Sequence, residues 1–274
     1  MIKHIRMKEF KAGVVQLTPF IQKGGMTQLN KQVEFQKIIE LVREHNSQVI
    51  PESFSKQIFE NVGMPIPKQG LAKNEEEAVY LAKTIGFPVV LKVHSFDIVH
   101  KSDAKGVLVG LNSPEDVREG FLEIIKNAQS YLLVDKEVQV TVQEMAPVGT
   151  EVIIGMKRDK VFGPTILFGL GGVWVEVLKD VSLRVSPLTE QDVDDMINEI
   201  RGHALLGEFR GNRARDLSSL KTLIFQMEKL ALEFPEIDEI DLNPVFLYEK
   251  DKGAMVVDAR IVLTNESLIS EGTV

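Results

Sequence analysis

Apolar and polar residues follow two rhythms along this chain, one near the 3.6-residue helical repeat and one near the two-residue strand repeat, and the switches between them mark its elements. Val33, Ile38, Ile39, Leu41 and Val42 recur at roughly helical spacing among charges and predict one surface helix. The preceding residues, 1 to about 30, have no sustained period, contain Gly24-Gly25 and read as an arm. From Pro51 the punctuation becomes regular. Residues 52–61 predict a helix closed by Gly63, and Pro65-Ile66-Pro67 lead into a short strand at 68–72. Asn74 caps the next helix, whose first turn, Glu75-Glu76-Glu77, sets negative charge at the positive end of the helix dipole, and Gly86 ends it. Strands at 89–94 and 106–111 follow. Ser113-Pro114-Glu115-Asp116 then opens a helix from 114 to about 128. Further strands are predicted at 138–145, 151–158, 163–168 and 173–178. Thr189 and Asp192 form a capping-box-like start to a helix over 189–200. After a loop at 202–216 come a helix at 217–234 and a closing hairpin of 239–248 and 254–261.

The pattern is mixed α/β, in two lobes packed around a shared cleft, since no long linker separates them. It divides the chain into an arm plus helix (1–50), a first lobe (51–125), a second lobe (126–264) and a tail (265–274).

Composition narrows the chemistry. Forty acidic residues against 32 basic ones give a net charge of −8, which argues against a broad grip on nucleic acid while leaving room for a local anion site. The absence of cysteine removes disulfides, thiolate metal sites and cysteine nucleophiles together, and fits a cytoplasmic location. Met1 to Arg6 is basic, but no apolar core of about 7–15 residues follows, as a signal peptide requires. No apolar run approaches the ~20 residues that cross a bilayer, so no membrane partner is expected.

Candidate chemistry concentrates in a few segments. Pro88-Val89-Val90-Leu91-Lys92-Val93-His94 delivers a lysine from an apolar strand, and Ser95-Phe96-Asp97-Ile98-Val99-His100-Lys101-Ser102-Asp103 follows at once. The lysine and loop suit a phosphate, and the His100 imidazole suits attack on phosphorus, with Asp97 or Asp103 to orient it; the plain alternative is a strand and a solvated turn. Phe168-Gly169-Leu170-Gly171-Gly172 admits close backbone approach to an anion or forms a tight turn; it matches neither a dinucleotide fingerprint nor a Walker loop. Asn243 before Pro244, set against Asp258, offers an amide oxygen and a carboxylate suited to Mg²⁺, or else an Asx-turn beside a solvated acid. Gln143-Glu144-Met145 is placed to border a flat heterocycle and Glu151 to meet ribose hydroxyls, though either glutamate reads equally as an edge residue. Arg184 and Arg260 are candidates to counter phosphate charge. The histidines have no second ligand at zinc-binding spacing.

Taken in order, Gly86-Phe87-Pro88-Val89-Val90-Leu91-Lys92, His100-Lys101-Ser102-Asp103, Val142-Gln143-Glu144-Met145, Phe168-Gly169-Leu170-Gly171-Gly172, Asp241-Leu242-Asn243-Pro244 and Asp258-Ala259-Arg260 closely resemble the β subunits of ADP-forming acetyl-CoA synthetases. These are ATP-grasp modules related to the nucleotide-binding part of succinyl-CoA synthetase. The resemblance covers about residues 50 to 264. It implies an ATP-grasp fold with ATP or ADP in the cleft, and a subunit of the reversible reaction of acetyl-CoA, ADP and phosphate to acetate, CoA and ATP. It further implies an α partner, most simply in an α2β2 assembly, which handles acetyl-CoA, phosphate and acetate and passes a phosphoryl group to His100 for transfer to ADP. By the same resemblance Lys92 contacts nucleotide phosphates, Gln143, Glu144 and Met145 border adenine, Glu151 reaches ribose, Asn243 and Asp258 hold Mg²⁺, and Gly171 and Arg184 lie near the phosphates. Two departures stand out: Lys105 precedes a single Gly106 where the family pattern has two glycines, and Phe96 stands where proline is common. The Lys105 departure keeps open a nucleotide-sensing module without phosphoryl transfer; a related synthetase for another acid, its choice set on the α partner, is the other alternative.

Overall fold

The computed structural model describes residues 28–98, 101–132, 138–172, 179–211 and 213–265. Among them, two antiparallel sheets each carry their own core. The smaller has the strand order β2(Gln69–Ala72), β5(Gln139–Glu144), β3(Val89–His94), β4(Val107–Leu111). Helices α3(Glu75–Ile85) and α4(Pro114–Leu132) cover one face, where Val89, Leu91 and Val93 of β3 and Val140 and Val142 of β5 meet Ala78, Ala82, Val117, Phe121 and Ile124. The expected caps form. The Asn74 side chain accepts from Glu77 N at 2.9 Å, and Gly86 takes φ 102°.

The larger sheet has the order β1(Val49–Ile50), β11(Ala259–Leu263), β9(Ile237–Leu247), β6(Thr150–Asp159), β7(Gly163–Leu170), β8(Val181–Val185), with β10(Ala254–Val256) also paired to β9. Its core takes side chains from α1(Gln28–Glu44), α2(Glu52–Asn61), α5(Glu190–Glu199) and α6(Leu217–Glu233). The capping box at Thr189 and Asp192 is present as expected. The predicted strand at 173–178 lies outside the described residues. No helix among the described residues is long and apolar enough to cross a membrane.

Two boundaries differ from the sequence expectation. Strand β5 pairs with both β2 and β3, so the passage between sheets falls between Glu144 and Thr150, and the end of α4 and β5 belong with the first lobe instead of beginning the second at 126. The division at 125/126 followed the helix-to-strand switch, whereas sheet pairing decides lobe membership. The second correction concerns the 1–50 segment. Helix α1 is not a surface addition: Phe35, Ile38, Ile39 and Val42 are buried in the larger core, and Val49 and Ile50 pair with Val262 and Ile261. Helix α2 joins the same core through Phe54, Ile58 and Phe59, although it precedes the smaller sheet in sequence.

Because Ile39 is fully buried, Ile39→Ala is expected to destabilise the protein by about 2–5 kcal/mol, and Val33→Ala on the exposed side of α1 by less than about 0.5 kcal/mol. Urea unfolding of the two variants checks this; equal small effects would separate α1 from the core.

Candidate functional site

Strand alternation builds the site. With Val89, Leu91 and Val93 turned to the helices, Lys92 and His94 project from the other face of β3, and on β5 Thr141 and Gln143 share that face beside them, Lys92 opposite Thr141 and Val90 opposite Gln143. This face meets the larger lobe. All four of these polar side chains are buried. Helix α2 supplies the counter-surface, with Glu52 and Lys56 one turn apart and both buried.

One carboxylate organises the seam. Glu52 Oε1 lies 2.6 Å from Lys56 Nζ and 2.5 Å from Lys92 Nζ, and Glu52 Oε2 lies 2.8 Å from Lys101 Nζ. Lys56 Nζ also donates to Gln143 Oε1 at 2.5 Å and to the Val257 carbonyl at 2.6 Å. Asp258 lies further off, 3.6 Å from Lys92 and 3.8 Å from Lys101. Burial alone would push the Glu52 carboxyl up, but Lys56, Lys92 and Lys101 together hold it well below the usual carboxylate range. Burial draws Lys56 down to about 8, with Glu52 opposing, whereas for Lys92 the pull of burial is outweighed by Glu52 and Asp258, which raise it. Three ammonium groups against two carboxylates leave the seam with surplus positive charge, a setting for an anion.

His94 sits at the edge of this cluster, its Nδ1 2.8 Å from Ser53 Oγ and its ring edge-on to Phe54. Burial first, and then Lys101, lower its pKa to about 4, so the imidazole is neutral near pH 7.

Asn243 and Asp258 are brought side by side. Asn243 N donates to Asp258 O at 3.3 Å, and Val257 N and Asp258 N both donate to Pro244 O, at 3.0 and 3.4 Å. Asn243 is exposed and the Asp258 side chain is 37% exposed, with one short hydrogen bond, from Ala259 N at 2.8 Å. Among the described residues no three metal-ligating His, Asp or Glu side chains converge. An amide oxygen and one half-open carboxylate nevertheless fit Mg²⁺, which is bound by few protein oxygens together with phosphates and water.

The other expected residues fall elsewhere. Glu144 N and Met145 N are committed to Lys68 O and Pro88 O, so a heterocycle there would meet the exposed Met145 side chain instead of free N–H groups. Glu151 and Gly171 are neighbours through Gly171 N to Glu151 O at 2.8 Å. Arg184 is not brought to the cluster: it lies on the edge strand β8, its guanidinium held by both Glu199 oxygens at 2.8 Å. Arg260 is likewise engaged, by Glu239 at 2.6 Å. Asp97 and Asp103 are exposed, and His100 lies outside the described residues. Lys105 adopts φ 48°, the left-handed conformation that the missing glycine would have eased, while Gly106 N closes the turn on Lys101 O at 2.8 Å. Gly106 itself has no room for a side chain, since a Cβ would stand 2.4 Å from Val93 Cγ1.

Sequence reasoning passed over Glu52, Lys56 and Lys101. The available signal was a Glu and a Lys four apart on a helix whose Phe54, Ile58 and Phe59 already claim the core-facing side.

Two lobes, each with its own sheet, clasping a lysine-rich seam beside Asn243 and Asp258 have the architecture of an ATP-grasp protein. The sequence model of the ATP-grasp domain matches residues 41–263. The chain is 43% identical over 235 residues to the β subunit of acetate–CoA ligase (ADP-forming) I of Pyrococcus furiosus, covering 86% of this chain and 100% of that one. Among solved structures it is similar to Ca. Korarchaeum cryptofilum dinucleotide-forming acetyl-coenzyme A synthetase 1 in complex with coenzyme A, Ca-AMPCP and HgCl⁺, at 44% identity and TM-score 0.79, covering 84% of this chain and 99% of that one. The same synthetase has been solved with coenzyme A and Mg-AMPPCP, its phosphohistidine segment pointing towards the nucleotide binding site; there the identity is 43%, the TM-score 0.72 and the coverage 84% and 99%. The chain belongs to the ATP-grasp family and, within it, to the β subunits of ADP-forming acetate–CoA ligases.

Two outcomes follow from the geometry. The folded pKa of His94, about 4, lies below its ordinary 6.5, so as pH falls the unfolded chain takes up the proton first and stability is lost between pH 6.5 and 4, by on the order of 3 kcal/mol. Urea midpoints at pH 7 and 4.5 should therefore fall further apart in the wild type than in His94→Gln, and equal spacing would contradict it. Lys105→Gly is expected to raise unfolding free energy by up to about 1 kcal/mol by relieving the left-handed residue, which the same unfolding measurement reads.

Proposed function

We propose that this chain is the nucleotide-binding subunit of an ADP-forming acetyl-CoA synthetase, working with an α partner on the reversible reaction acetyl-CoA + ADP + phosphate = acetate + CoA + ATP. The observation that carries this reading is the meeting of Lys92 from one sheet with Asp258 from the other, 3.6 Å apart at the seam. Phosphoryl transfer needs alignment and charge neutralisation more than covalent machinery, and an ammonium beside a cation-binding carboxylate supplies both. Lys92 holds nucleotide phosphates, with Lys101 adding positive charge. Asn243 and Asp258 hold Mg²⁺, which when bound draws charge off the phosphate oxygens. Met145 lies against the adenine, and Glu151, beside Gly171, faces the ribose.

The carrier is His100. A phosphorylated histidine on the α partner gives its phosphoryl group to a ring nitrogen of His100, breaking one N–P bond and making another. That bond then breaks as a terminal phosphate oxygen of ADP attacks phosphorus, giving ATP and freeing the imidazole. The Mg-AMPPCP complex of the synthetase from Ca. Korarchaeum cryptofilum, with its phosphohistidine segment turned to the nucleotide site, supports this role by similarity. An α2β2 assembly, a cytoplasmic location and acyl-CoA binding on the α partner complete the reading.

The deciding experiment mixes the full chain with its α partner, acetyl-CoA and labelled phosphate, and measures acid-labile label on this chain. Label is expected on the wild type and absent from His100→Ala, with ATP formation lost in the variant. Label persisting unchanged in His100→Ala would remove His100 as the carrier. Nucleotide binding without turnover in either protein would instead favour a sensing module.

A further inference from the structure

The distances in the seam are unequal in a way that phosphate binding alone does not explain. Lys92 and Lys101 could each close on Asp258, whose carboxylate is the more open of the two. Instead they make their short contacts, 2.5 and 2.8 Å, with the buried Glu52, and stand 3.6 and 3.8 Å from Asp258. A Coulomb attraction varies as the inverse of distance and strengthens away from water, so the shorter and more buried pairings dominate. Lys56, itself fixed by Gln143 Oε1 and the Val257 carbonyl, shares Glu52 Oε1 with Lys92 and helps to hold the carboxylate in place. The buried acid thus comes from α2, the lysines from β3 and the segment after it, and the open acid from the β10–β11 junction.

We propose that Glu52 is a positioning residue that draws Lys92 and Lys101 off Asp258, so that the Asp258 carboxylate stays available to a divalent cation while both ammonium groups face the phosphates that accompany it. This rests on the nucleotide-site reading above. Without the Glu52 charge, the nearest carboxylate for both lysines is Asp258. They close on it, and it is then neutralised as a cation ligand. Glu52 therefore governs cation affinity without touching the cation. It makes the site able to accept a metal and a polyphosphate together, where a simple lysine–aspartate pair would have to be broken first.

The test uses the full-length chain and two probes: Mn²⁺ binding in the presence of ADP, followed by electron paramagnetic resonance, and adenosine binding by calorimetry. Glu52→Gln is expected to weaken Mn²⁺ binding at least tenfold while leaving adenosine affinity within twofold, and Glu52→Asp to recover part of the loss. A folded Glu52→Gln with wild-type Mn²⁺ affinity overturns the proposal, as does loss of adenosine and Mn²⁺ binding in equal measure, which would mark Glu52 as merely structural. If Glu52→Gln does not fold, Glu52→Asp alone, whose shorter side chain loosens the hold on both lysines, is expected to weaken Mn²⁺ binding in smaller measure and spare adenosine; unchanged Mn²⁺ affinity overturns the proposal. A wild type that binds neither probe overturns the nucleotide-site reading itself, and the inference with it.

Discussion

A single buried carboxylate, Glu52, sits where the two lobes meet and is shared by three lysines from three separate segments. Removing so many charges from water costs several kcal/mol for each ion, and apolar side chains of similar volume often stabilise such a seam as well or better. Stability therefore does not account for the cluster. What the arrangement provides is a fixed set of charges in a poorly screened place, already oriented before any ligand arrives, and this is what an anion-binding and phosphoryl-handling site requires.

The two cores make that cluster possible by staying apart. The smaller core lies wholly on the helix-covered face of its sheet, and the larger core is built by helices from both ends of the described chain. Neither core needs the seam, so the seam is free to be polar. The lobes are then joined by directional contacts: Lys56 reaches across to Gln143, and Lys92 reaches back to Glu52 and Asp258. Such contacts keep geometry only while every partner is present, which ties the placement of Lys92 and Lys101 to the packing of α2.

The turn after Lys101 shows how a local conflict is accommodated beside a site. Gly106 is required by its closeness to Val93, so the left-handed position one residue earlier falls to Lys105. The turn still closes through Gly106 N to Lys101 O and Lys105 N to Ser102 O, and this anchors Lys101 at the base of the segment whose ammonium meets Glu52.

Most elements were legible in the sequence because their signals are local: caps at Asn74 and Thr189, stops at Gly63 and Gly86, and alternation through β3 and β5. Strand β8 was passed over because its pattern is inverted, with Ser182 buried and Leu183 and Val185 exposed. The single-chain pattern also marked Lys92, Asn243 and Asp258 as candidates, since each is a polar group at the end of, or within, an apolar strand. Tertiary structure alone decided the rest. It assigned α1 and α2 to the larger core and β5 to the smaller sheet, engaged Arg184 with Glu199, and made Glu52 and Lys56 the centre of the charged seam. The reason is physical: caps and alternation act between residues a few positions apart, whereas the meaning of a charge depends on what is folded against it, and Glu52 meets Lys92 only once the two lobes have closed on one another.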